Sequence, residues 1–172
     1  MSKNIYLVGF MGTGKTSSGK ELARMTRRRF IDIDELIERK EKISIRDIFS
    51  RYGEDSFRKL ETKYLKEVSK KDNLVVACGG GIVVKESNIS LMKKTGFIVC
   101  LKASVNVILK RTACYTHRPL LNVKDQKQMI KALLCKRKPF YSKADITLDT
   151  SRLSIRQTAK RIFKISEKNE YI

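Results

Sequence analysis

The chain has 172 residues, the size of one domain that buries about 70% of its unfolded surface and needs neither disulfides nor a structural metal. Its net charge is +20, and the excess is uneven: 19 basic and 13 acidic residues lie within 1–86, 19 and 5 beyond. No run of about 18 apolar residues offers a membrane span, no leader-like segment is recognisable, and four cysteines without a CxxC pair beside one histidine argue against zinc.

These features point to a cytoplasmic protein. A charge of +20 attracts polyanions such as nucleotides or nucleic acid. No basic run is interleaved with stacking aromatics, however, so a lysine-rich solvated surface accounts for most of it and no specific nucleic-acid partner is expected.

In chain order, residues 5–8 predict a buried strand and 15–27 a helix. The joint between them, Gly9-Phe10-Met11-Gly12-Thr13-Gly14-Lys15-Thr16, matches G-x-x-x-x-G-K-[ST]. Small residues there let successive backbone N–H groups turn inward around a phosphate, and the loop feeds a helix N-terminus that favours anions. The candidate nucleotide contacts are Gly12, Thr13, Gly14, Lys15, Thr16 and Ser17. Lys15 would reach the terminal phosphates, and the Thr16 hydroxyl would ligate Mg²⁺. A glycine-rich turn with no ligand is the plainer alternative, but the strand–loop–helix context favours phosphate.

Residues 30–33 predict the second strand and 34–40 a helix. Strand alternation would put Asp32 and Asp34 on one side of that strand's C-terminal end, where doubly wound sheets bind ligands. Asp32 can hold Mg²⁺ through water, and Asp34 can orient or deprotonate an acceptor hydroxyl. The alternative is a pair of acidic residues favouring a helix start.

Helices are then expected over 45–51, capped by Ser44 with Asp47, and over 55–69. Arg58 and Glu61 share a face of the second, where the carboxylate would fix a guanidinium suited to a substrate carboxylate. A solvated surface pair would look the same in sequence. Residues 74–78 predict a buried strand ending in Gly79-Gly80-Gly81, which would let a ligand approach the backbone or form a bulge.

Strands follow at 97–101 and 146–148, with helices at 105–112, 126–141 and 155–166. Between residues 112 and 124 lies a polar stretch without periodicity, expected to be a mobile lid. Arg111 and Arg118 flank or lie in it, and Arg137 follows in "RKPFY". An arginine delivered by a closing loop would neutralise a transferring phosphoryl group. His117 has no evident partner and reads as an ordinary loop residue. Strands alternating with helices predict an α/β fold, a parallel sheet covered on both faces.

Taken together, "GFMGTGKTSSGKELA", "FIDIDELIE", "SIRDIFSRYGEDSFRKLE", "CGGGIV", "RPLL" and "RKPFY" resemble the shikimate kinases over about residues 4–150. The resemblance implies a three-layer P-loop fold of the nucleoside-monophosphate-kinase type. Its five-stranded parallel sheet would run 2-3-1-4-5, in a single domain over 1–172 with an acceptor-binding segment about 34–61 and a lid about 112–124. It implies transfer of the γ-phosphoryl group of ATP to the 3-hydroxyl of shikimate, with Mg²⁺. A monomer is expected because the sequence shows no heptad pattern or exposed apolar stripe. Lys15, Asp34 and Arg118 would be catalytic, Arg58 and Arg137 would clamp the shikimate carboxylate, and Gly80 and Gly81 would line its pocket. Arg111 and Arg152, the latter in "DTSR", would meet adenine. Phe140 stands where that family more often has Leu.

A kinase for gluconate or a nucleoside monophosphate remains open on the residues alone, as does a nucleotide-dependent nucleic-acid-binding protein.

Overall fold

The computed structural model describes residues 3–113, 125–169 and 171. The elements run β1 (Asn4–Gly9), α1 (Lys15–Thr26), β2 (Arg29–Asp32), α2 (Ile33–Glu41), α3 (Ile45–Val68) and β3 (Leu74–Ala77). A 3₁₀ turn (Ile82–Val84) follows, then α4 (Glu86–Thr95), β4 (Gly96–Lys102), α5 (Val105–Thr112), α6 (Gln126–Tyr141), β5 (Ile146–Asp149) and α7 (Ile155–Lys168). The five strands form one sheet in the order β2-β3-β1-β4-β5, every pair parallel, as expected.

Burial follows from the pleat. On β1, Ile5 and Leu7 pack with Leu22 and Ala23 of α1 and Ala159 and Ile162 of α7, whereas Tyr6 and Val8 face the layer built from α2, α3 and α4. A strand buried on both faces has no polar side, hence the unbroken apolar runs of β1, β3 and β4. A third cluster joins Phe10 and Met11 of the glycine loop to Ile108 of α5 and Ile130 of α6.

Several local expectations shift. The second strand ends at Asp32, because its carboxylate accepts the backbone N–H groups of Asp34 and Glu35 and so caps α2. Asp34 therefore sits in the first turn of a helix, and strand alternation is not what brings it beside Asp32. The two helices expected at 45–51 and 55–69 are joined across a kink at Gly53, whose φ of 77° departs from helical geometry. The Ser44 cap is present, its hydroxyl accepting from Asp47 N at 3.1 Å. Helix α4 was not anticipated: its Asn88, Ile89 and Met92 are buried, but the segment between Lys85 and Lys94 looks polar in sequence.

Candidate active site

The glycine loop lies at the C-terminal edge of the sheet. Its glycines are required by geometry rather than composition. Gly9 has φ 134° and leaves no room for a Cβ, which would fall 2.1 Å from the Leu101 carbonyl oxygen. Gly14, at φ 93°, is the N-cap of α1 and supplies no side-chain cap, leaving the first N–H groups of the helix open to an anion. Lys15 reaches back over the loop, its ammonium donating to the carbonyls of Gly9 and Phe10 at 2.9 and 3.0 Å.

In the first turn of α1, the Thr16 hydroxyl donates to Asp32 Oδ2 at 2.7 Å. A hydroxyl and a carboxylate side by side below a phosphate loop form a hard-oxygen pair that fits Mg²⁺, which takes few protein ligands and keeps waters and substrate phosphates for the rest.

Beside this pair opens a cavity of about 450 Å³, lined among others by Thr16, Asp32, Asp34, Arg58, Glu61 and Arg137. Gly79, Gly80 and Gly81 form one wall, with Ile45, Phe49 and Phe57 supplying an apolar side. Arg58 Nη1 donates to Glu61 Oε2 at 2.5 Å, while its Nε and Nη2 donate to Glu54 at 3.1 and 2.6 Å. Arg137, only 5% exposed, lies over the Phe10 ring at 5.8 Å. Two guanidiniums thus converge on one cavity that also holds Asp34, an arrangement suited to an acceptor carrying a carboxylate and a hydroxyl.

The glycine wall has a steric reason at each position. A Cβ at Gly79 would lie 2.3 Å from Glu61 Oε1 and 2.8 Å from Asp34 Oδ1. At Gly81 it would overlap Arg58, 2.2 Å from Nη1, and at Gly80 it would press on Arg137 at 3.3 Å. The Gly80 carbonyl accepts from the Tyr141 hydroxyl at 2.7 Å, tying this wall to the end of α6.

Glu61 is fully buried. Burial pushes its carboxyl up to about 7; Arg58 opposes that shift, and nearby Asp34 adds to it. The sequence pattern shows the Arg58 pairing but not this desolvation, which depends on β3 and the glycines closing over the helix.

A second cavity, about 330 Å³, lies across the loop and is lined by residues 11–18, Arg111, Thr112, Thr150, Leu153, Ile155 and Thr158. Arg111 donates to the Gly12 carbonyl at 3.2 Å and to the Thr150 carbonyl at 3.0 Å, and the Thr150 hydroxyl donates to the Thr13 carbonyl at 3.0 Å. Thr150 therefore links the loop, α5 and the end of β5, a role no motif announced. Arg152 is exposed and is not among the residues lining this cavity; Leu153 and Ile155 are. Arg118, His117 and residues 114–124 of the expected lid lie outside the described residues.

The profile of the family described as shikimate kinase matches residues 11–167. The chain belongs to the shikimate kinase family. The shikimate kinase of Thermodesulfovibrio yellowstonii is 46% identical over 166 residues, covering 96% of each chain. The structure described as shikimate kinase from Acinetobacter baumannii in complex with shikimate superposes with a TM-score of 0.94 at 38% identity, covering 99% of this chain and 96% of that one. A gluconokinase from Sinorhizobium meliloti, at 15% identity and a TM-score of 0.59, shares the fold alone.

Proposed function

We propose that the chain transfers the γ-phosphoryl group of ATP to the 3-hydroxyl of shikimate, giving shikimate 3-phosphate and ADP in aromatic amino-acid biosynthesis. The observation that carries this reading is the convergence of Arg58, Arg137 and Asp34 on one cavity beside the phosphate loop. Kinase chemistry itself follows from family membership.

The backbone of Gly12, Thr13, Gly14, Lys15, Thr16 and Ser17 cradles the phosphates of ATP, and Lys15 leaves its loop carbonyls to meet the terminal ones. Thr16 and Asp32 hold Mg²⁺, which when bound neutralises charge on the β- and γ-phosphates. Arg58 and Arg137 grip the shikimate carboxylate, with Gly80 and Gly81 along the ring. Asp34 then orients the 3-hydroxyl and accepts its proton as the oxygen bonds to phosphorus and the bond to the bridging oxygen of ADP breaks. Arg111 borders adenine beside Thr150. Arg118, on sequence grounds, meets the phosphates from a closing lid at about 112–124, which would exclude water and limit ATP hydrolysis. Arg152, on sequence grounds, would meet adenine.

The unit is read as a single kinase domain over 1–172, a cytoplasmic monomer with no nucleic-acid partner. Among the described residues no helix is long and apolar enough to cross a membrane.

The test is ADP release from MgATP with shikimate, gluconate, AMP or no acceptor, repeated with Asp34→Asn. Release with shikimate alone, lost in the variant, is expected. Release with another acceptor would keep the kinase and overturn the substrate.

A further inference from the structure

We propose that Glu61 takes up a proton from solvent when shikimate binds, so that a buried neutral acid offsets the charge the substrate brings to the arginine pair. This rests on the carboxylate-clamp reading of Arg58 and Arg137.

The geometry of the free site leads there. Glu61 is fully buried, Oε2 is held by Arg58, and Oε1 has no hydrogen-bond partner among the described residues. A buried anionic oxygen without a donor is costly, and protonation is the ordinary relief. Asp34, in the first turn of α2, brings a second carboxylate close: its Oδ1 and Glu61 Oε1 lie within 2.8 and 2.3 Å of the same point above Gly79. From α6, Arg137 contributes the opposing charge.

Two neighbours, the Cys78 thiol and the Tyr141 hydroxyl, are kept neutral by burial, which pushes the first well up and the second up to about 12. Arg58 is itself divided, since Glu54 holds its Nε and Nη2. The free site thus leaves Glu61 near about 7, between ionised and neutral in the physiological range.

A substrate carboxylate changes three things at once. It draws on the positive charge of Arg58 and Arg137, adds a negative charge of its own, and displaces water. All three disfavour ionised Glu61, so none has to be weighed against another. Neutralising Glu61 restores the charge balance without moving a side chain. By linkage, affinity for shikimate then falls as pH rises above about 7, by at most about tenfold per pH unit while the complex keeps its proton.

The experiment is titration calorimetry with shikimate between about pH 7 and pH 8 in two buffers of unlike ionisation enthalpy. For the unaltered protein, the difference in heat should correspond to uptake of several tenths of a proton per shikimate bound. Glu61→Gln, which imitates the neutral acid, should bind shikimate with no proton exchange and a flat pH dependence. Binding without proton uptake by the unaltered protein overturns the inference, whether or not the variant folds. So does equal uptake in Glu61→Gln. Failure of the unaltered protein to bind shikimate overturns the carboxylate reading itself, and this inference with it.

Discussion

The Thr16 hydroxyl donates to the Asp32 carboxylate at 2.7 Å, joining the first turn of α1 to the start of α2. The same carboxylate caps α2 through its other oxygen. One residue therefore has a structural and an electrostatic duty, and substitutions separate them. Asp32→Asn keeps a competent cap and removes the charge, so the Mg²⁺ concentration for half-maximal rate should rise while thermal stability changes little. Asp32→Ala should show the same metal effect and lose about 0.5–2 kcal/mol as well. Mg²⁺ titrations beside thermal melts check both; an unchanged Mg²⁺ requirement in both variants would remove Asp32 from the metal site.

Asp34→Asn removes the proposed proton acceptor with almost no change in volume. Turnover should fall by about 10²–10⁴-fold while ATP binding is retained. Steady-state kinetics and nucleotide titration decide, and near-normal turnover would count against the role.

Arg58→Ala should raise the shikimate KM by about 10–100-fold, the loss of one or two charge-assisted hydrogen bonds. The ATP KM should change far less, because Arg58 lines the acceptor cavity and not the nucleotide one. Equal weakening of both substrates would contradict the clamp.

Gly79→Ala puts a Cβ 2.3 Å from Glu61 Oε1, in a wall where Glu61 is fully buried. Shikimate binding should be lost before nucleotide binding is, since the displaced groups are Glu61 and Asp34. Paired titrations with shikimate and with ADP test this, and a variant that binds shikimate normally would show that the wall yields.

Glu61 also makes stability depend on pH. Its folded pKa, about 7, is raised above the usual 4.5, so the folded chain binds the proton more tightly than the unfolded one. Its contribution is fully present below about 4.5, declines as pH rises, and is lost above about 7. Relative to the unaltered protein, Glu61→Gln should therefore gain stability between these limits, by an amount on the order of a few kcal/mol. Denaturant melts at pH values either side of the window measure it; parallel curves would show that Glu61 does not titrate there.

The phosphate loop was legible because its chemistry is local: Gly9, Gly12 and Gly14 all take positive φ, which glycine tolerates at little cost. The strands were legible because burial on both faces leaves unbroken apolar runs. Strand alternation misplaces Asp34, which stands in the first turn of α2 because the Asp32 cap starts that helix one residue earlier than the apolar pattern suggests. Helix α4 was hidden by its lysines, and Thr150 by the absence of any pattern linking it to the loop at Thr13, 137 residues away in sequence.

By itself, the sequence determined the parallel α/β class, the nucleotide loop and, through its ordered motifs, the resemblance to shikimate kinases. These depend on short-range backbone preferences and apolar periodicity, which neighbouring residues carry. Only the tertiary structure decided that Arg58, Glu61, Asp34 and Arg137, from three helices, share one cavity, and that Gly79 must lack a side chain for them to do so. It also decided that Glu61 is buried rather than a solvated surface partner. Desolvation is set by what packs over a group, and no spacing along the chain encodes it.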